Sequence, residues 1–395
     1  MSASLLIQKR YLAAKVMATL LSLVFAFLYS RQLGIINRSI LIYVFTLSSL
    51  TWIVLTSGST LTLRKLMPDK GSRDFGSFIA LIILQTMIGI TVLTIGLLVF
   101  SNYKTTIPSP LIVLIYAYFL LSGFAMILVE ILITYLHYLF SGLIELVAVV
   151  IQLSLFFVIL TPLELSIASK LLLSFNISYL IICLRMAQLI ISSMGMNFKI
   201  SSPRIFWKAT KGSHLLGVSL GIVDRLDRFI IAFYFPTGTL AKYSAMSSLI
   251  SYFRFLPEFF SRIMISGFIL PYSVLRRNRV LVISILILAV STIILLSRIF
   301  ISTFLGQEWL LPIAIFVAFG VQEILRGTYQ ISLNYNSKLN LAFSTSVAPV
   351  LLLVTAPILS GVTVHVFGLI GIPIAFSLAF IASISYAAHG RKNAR

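Results

Sequence analysis

Apolar residues run along this chain in blocks of about 20, each enough as a helix to cross roughly 30 Å of hydrocarbon. The first six blocks are Leu12–Tyr29, Ile40–Leu63, Phe75–Phe100, Leu111–Ile133, Gly142–Leu160 and Ile167–Ile191. After a polar, basic segment come Leu215–Phe235, Leu240–Leu270, Val280–Leu296, Leu310–Ile331, Leu341–Leu359 and Val366–Ala387. The pattern predicts an all-α, polytopic membrane protein of twelve transmembrane helices in two bundles of six. Residues 1–194 form the first bundle, 195–212 a cytosolic basic linker and 213–395 the second bundle. The first block follows basic residues but is longer than a signal-peptide core, and no small-residue cleavage site follows it. It reads as an uncleaved first helix.

The basic residues test that count. With the N-terminus cytosolic, seventeen of the 30 Lys and Arg fall in inside segments and seven within the spans. Only Arg31, Arg38, Lys104, Lys170, Lys242 and Arg298 fall outside. A bias of that size obeys the positive-inside rule and puts both termini in the cytosol. Composition agrees: 59% of the 395 residues are hydrophobic and 10% charged, against about 25% charged in soluble domains. Mean hydropathy is +1.07. The net charge of +20 resides mainly in short loops, so it reads as a topology signal and not as a nucleic-acid surface. The single cysteine, Cys183, can form no intramolecular disulfide.

No outside loop is long enough to fold as a catalytic domain. HExxH, a P-loop, GxSxG and metal-spaced Cys/His clusters are all missing from the sequence. The expectation is a protein that is not an enzyme and holds no cofactor or metal.

Chemistry concentrates in the seventh block, GVSLGIVDRLDRFIIAFYF. A charge at mid-bilayer costs at least about 2.5–3.5 kcal/mol. At 100° per residue, Asp224, Arg225, Asp227 and Arg228 fall within roughly 160° of one another. Val223, Leu226, Phe229 and Ile230 cover the opposite side. The charged face must therefore meet protein or water. The eighth block adds Arg254, Glu258 and Arg262 at four-residue spacing, on one face. Pro257 among them predicts a kink. Lys15 in the first block continues through Thr19 and Ser22 as a polar stripe, although a lysine so near the helix start can also snorkel to the cytosolic surface. Arginine suits phosphate because its planar fork donates two hydrogen bonds at once. The spacing also admits purely structural pairs, Asp224 with Arg228 and Glu323 with Arg326.

Two joints carry a family resemblance. Arg31-x-Leu-Gly before the second span resembles the first joint of the Wzx-type oligosaccharide (O-antigen) flippases. Asp224-Arg-x-Asp-Arg, followed by Gly-Thr-Leu-Ala-Lys-Tyr-Ser, is similar to their seventh span. Ser39 and Lys242 depart from the family's usual residues. These flippases belong to the superfamily of multidrug, oligosaccharidyl-lipid and polysaccharide exporters. The resemblance implies two six-helix bundles in a MATE-like V that opens alternately to either side around a cationic cavity. It implies an undecaprenyl-diphosphate-linked oligosaccharide as substrate, flipped outward across the bacterial inner membrane, with a polysaccharide polymerase as a partner. Arg254, Arg262, Arg228, Arg225 and Lys15 are the expected cavity residues, with Asp224, Asp227 and Glu258 as a charge network or gate. Whether H+ or Na+ drives transport stays open. The alternative is a multidrug cation exporter of the same architecture; an O-antigen polymerase would need an outside catalytic loop.

Overall fold

Hydrocarbon offers a backbone amide no partner, so each apolar block has to close its own hydrogen bonds as a helix. The computed structural model describes residues 3–66, 75–104, 106–135, 138–194, 218, 221–251, 279–338 and 342–393. These are helical throughout except for short connections, with no strand among the described residues. In chain order the helices are α1 (Ala3–Leu66), α2 (Phe75–Tyr103), α3 (Ser109–Tyr135) and α4 (Tyr138–Ser154), which runs into a π turn, Leu155–Ile159. There follow α5 (Ile167–Met194), α6 (221–234), α7 (Thr237–Ile250) and α8 (Arg279–Phe304). The last three are α9 (Ile313–Lys338), α10 (Ala342–Phe367) and α11 (Gly371–Asn393).

Among the described residues, six helical stretches are long and apolar enough to cross a membrane. Two of them, Val16–Thr56 and Val347–Ala387, contain 41 residues each. At 1.5 Å per residue that is about 60 Å, twice the hydrocarbon thickness, so each must cross twice. Both are broken near the middle by glycine. Gly34 interrupts α1 at φ 69° and ψ 172°, a conformation open to glycine almost alone. Gly368 (φ 62°) opens the single 3-10 turn Gly368–Ile370 between α10 and α11. A Cβ on Gly371 would run into the backbone carbonyl of Thr363. That close approach is what lets the two helices fold back on each other.

The first joint differs from the sequence expectation. Arg31 and Arg38 were assigned to an outside loop, but helix continues on both sides of Gly34 and the whole turn falls on that one residue. Arg38 is buried there, 8% exposed. Its guanidinium donates to the Tyr29 hydroxyl and lies 4.4 Å from the centre of that ring. Tyr29 sits before the break and Arg38 after it, so this contact links the two crossings. Arg298, also expected in an outside loop, belongs to α8; it reaches toward the Leu311 carbonyl and lies over Phe316. The seventh expected span is described over 221–234 and the eighth as far as Ser251. The 195–212 linker lies outside the described residues.

The chain divides into two compact units, Met1–Val218 and Ser219–Arg395. In the first, α1 packs along α4, α2 and α3, and α3 along α5. Its half beyond Gly34 is central, with no fully exposed residue from 38 to 56. Side chains stitch it to its neighbours: Trp52 Nε1 donates to the Phe119 carbonyl (2.7 Å) and the Tyr43 hydroxyl to the Gly96 carbonyl (3.0 Å). Gly96 lies against Leu47 and Gly123 against Trp52, both too close for a side chain. In the second unit α10 packs along α11, α9 against α11, and α8 against α7 and α9.

The glycine breaks make separable demands on stability. Gly34→Ala meets no atom within 4 Å, so its penalty is conformational alone, roughly 1–3 kcal/mol for that region of φ/ψ space. Gly361 in α10 also has open space and a helical backbone, so Gly361→Ala should be neutral or add about 0.5–1 kcal/mol. Thermal unfolding of the two detergent-purified variants should therefore move in opposite directions, with a clear loss only for Gly34→Ala.

Candidate functional site

The charged residues of α6 separate once the neighbouring helices are in place. The sequence puts Asp224, Arg225, Asp227 and Arg228 together on one face. In the structure Asp227 belongs instead to the packing stripe of α6, with Val223 and Ile231, and is 7% exposed. It survives burial because two donors reach it. The Tyr243 hydroxyl on α7 donates to Oδ2 at 3.1 Å, and the backbone N–H of Arg228 donates to Oδ1 at 2.7 Å. Tyr243 is itself fully buried, against Phe319. An aspartate this deep would otherwise be strongly disfavoured in hydrocarbon. The hydroxyl of Tyr243 is the residue that sequence reasoning missed; its place one helix on, in Lys242-Tyr243-Ser244, was noted for the family resemblance alone.

Asp224 takes a different partner from the one its spacing suggests. It forms an ion pair with Arg326 of α9, not with Arg228 one turn along its own helix. The side chains of this pair are 16% exposed for Arg326 and 32% for Asp224. Arg326 in turn is drawn away from Glu323, the neighbour assigned to it by spacing. Glu323 is 1% exposed on the inner side of α9 and within electrostatic range of Tyr243. Local i,i+3 and i,i+4 pairs contribute only about 0.2–0.5 kcal/mol, so a cross-helix pair that also fixes packing outweighs them.

The two arginines of α6 are left as follows. Arg225 turns back along its own helix, its Nη1 3.5 Å from the Gly221 carbonyl. Arg228 is partly buried. Its Nε is buried without a hydrogen-bond partner, and among the described residues its guanidinium enters no ion pair. Asp224 is taken by α9 and Asp227 by α7, which leaves Arg228 without a counter-ion among the described residues. Arg254, Glu258 and Arg262, with Pro257, lie outside the described residues. Lys15 lies in α1, its side chain also outside them. Thr19 and Ser22 are partly exposed on the side of α1 opposite the exposed apolar residues Met17, Leu20 and Val24. Among the described residues no group of His, Cys, Asp and Glu could hold a metal ion.

The pairing has a measurable signature. Asp224→Asn and Arg326→Gln each break this ion pair and should each lower stability by roughly 1–3 kcal/mol. The double variant should recover part of that loss, because it leaves no lone charge. Arg228→Gln should cost no stability. A double-mutant cycle by thermal unfolding in detergent reads all four proteins. A larger loss for Arg228→Gln than for Arg326→Gln would assign the pair to the wrong arginine.

No family model matches the chain, and no curated protein does. Solved structures do match. The lipid II flippase MurJ in its inward closed conformation aligns with a TM-score of 0.68 at 16% identity, over 98% of this chain and 87% of that one. A multidrug resistance MATE family transporter of the MOP superfamily, inward-facing, aligns with a TM-score of 0.67 at 14% identity, over 97% of each chain. The Vibrio cholerae MATE transporter VcmN in its bent form gives 0.57 at 13% identity, over 98% of this chain and 97% of that one. At such identities the likeness is one of fold. The chain is an all-helical, multi-pass membrane protein with a fold like that of MurJ and the MATE transporters.

Proposed function

We propose that this protein is a flippase that carries an undecaprenyl-diphosphate-linked oligosaccharide from the cytosolic to the periplasmic leaflet of a bacterial inner membrane. The observation that carries the reading is Arg228, a partly buried guanidinium with no counter-ion among the described residues. An uncompensated cation inside a membrane protein is costly unless an anion visits it. A diphosphate is such an anion, and its polyprenyl tail can stay in lipid while the headgroup crosses through protein. No bond is made or broken, so the chemistry asks for charge and access and for no catalytic group.

In this reading residues 1–194 and 213–395 are two six-helix bundles that alternate between inward and outward openings. The linker over 195–212 is cytosolic, as are both termini. Arg254 and Arg262 hold the diphosphate, and Arg228, Arg225 and Lys15 extend the cationic surface. Glu258 lies one turn from both arginines of its span and at rest neutralises one of them. Asp224 and Asp227 hold α6 against its neighbours. A polysaccharide polymerase would take the product. The multidrug cation exporter is the rival, supported by the equal likeness to MATE folds; it calls for a cavity dominated by carboxylates.

Arg254→Ala, Arg262→Ala and Arg228→Ala should each reduce surface polysaccharide in a flippase-null strain, by far more than tenfold for the first two, at unchanged protein level. Lysine at these positions should restore only part, because it loses the two-pronged contact. Normal display from both the Arg254 and Arg262 variants, or export of ethidium in place of glycolipid, overturns the reading.

Orientation is tested separately in a Cys183→Ala background. Cysteines at Ser101, Thr237 and Gly361 should react with an impermeant maleimide added outside. Those at Gly71, Gly195 and Asn278 should react only after the membrane is opened. Outside labelling at Gly195 would reverse the assignment of every span around it.

A further inference from the structure

The first unit contains an aromatic constellation that the charge-based reading does not use. Phe45 of α1, Tyr118 of α3, and Phe175 and Tyr179 of α5 form a contiguous four-ring patch. Phe45 lies 4.7 Å from Tyr118 and 5.5 Å from Phe175, between ring centres. Tyr118 is 6.0 Å from both Phe175 and Tyr179, and Phe175 and Tyr179 stack with planes 18° apart at 6.3 Å. Phe25, 2% exposed, backs the patch at 6.0 Å from Phe175. The π turn at the end of α4 brings both Phe156 and Phe157 against that same ring.

Two features separate this patch from ordinary core. All four rings are only partly buried, whereas the packing aromatics Trp52, Tyr43, Phe100 and Phe119 of the same unit are closed off completely. The partial exposure is also not toward lipid. On α5 the exposed apolar stripe is Leu180, Ile181 and Leu184, and Phe175 and Tyr179 lie about 145–175° round the helix from its centre. Tyr118 stands about 140° from the exposed Val113 of α3. Phe45 lies within 38–56 of α1, a stretch with no exposed residue. The rings therefore open to the inner side of the unit.

We propose that this patch is the binding platform for the sugar rings of the lipid-linked substrate, an inference that rests on the flippase reading above. One turn from the rings stand Leu41, Ser49, Leu114, Ser122, Leu171 and Cys183. None of these is charged, so what these positions and the four rings offer a partner is ring faces and hydroxyls. The negative face of an aromatic ring attracts the polarised C–H bonds of a pyranose. Tyrosine hydroxyls at the rim can meet the sugar's own hydroxyls. Every pyranose presents such a C–H face, so the platform tolerates different sugars.

The test uses the full-length protein in detergent with two probes, undecaprenyl diphosphate and the same lipid bearing a pyranose trisaccharide. Phe175→Leu and Tyr118→Leu should each weaken glycolipid binding by about three- to tenfold and leave undecaprenyl diphosphate unchanged. Arg228→Gln should weaken both lipids. Phe175→Trp keeps a ring and places an emitter in the platform; its fluorescence should shift with glycolipid and not with the bare lipid. That reporter decides the matter alone where a leucine variant fails to fold. Equal responses to the two lipids, unchanged glycolipid affinity in both leucine variants, or a shift produced by tetraphenylphosphonium instead would overturn the platform. If wild-type protein binds neither lipid, the flippase reading itself falls, which is a distinct result.

Discussion

A charge inside a membrane protein has to be met by something, and the second unit is arranged around that requirement. The helix over 221–234 carries four charged side chains in five residues. Asp224 is met across the helix interface by Arg326, and Asp227 by a buried tyrosine on the next helix. These contacts fix which face of α6 turns toward α7 and which toward α9, a choice that apolar packing alone leaves loosely specified. Their second effect is to leave Arg228 without a counter-ion among the described residues. The cation is thus a consequence of how its neighbours are satisfied.

Beside the buried Arg38 with its Tyr29 partner, the first unit meets the same solvent problem with neutral groups. Its described polar contacts between helices run from Trp52, Tyr43, Asn176 and Ser178 to backbone carbonyls on adjacent helices. Each of these donors finds a backbone acceptor on a neighbouring helix. The same economy appears at the helix breaks. The Thr363 hydroxyl lies 2.9 Å from the Leu359 carbonyl and 2.7 Å from the Gly371 carbonyl, so the break between α10 and α11 leaves little backbone exposed.

By itself the sequence determined the class of the protein and the place of its helices. Apolar runs of membrane length can satisfy their backbone in hydrocarbon only as helices, so composition and block length sufficed. The glycine at the first joint was legible for the same reason, since a 41-residue apolar helix has to break somewhere and Gly34 is the residue that can turn. What only the tertiary structure decided was partnership. Spacing offered Arg228 for Asp224 and Arg326 for Glu323, because one helix face is all that a linear pattern can display. The structure gave Asp224 to Arg326, 102 residues away in the chain, and gave Asp227 a phenol where an ion pair was sought. The buried Arg38 and the four-ring patch were hidden for the same reason. A ring or a guanidinium contributed by each of several helices leaves no periodic signal in any one of them, and acquires its meaning only when the helices pack.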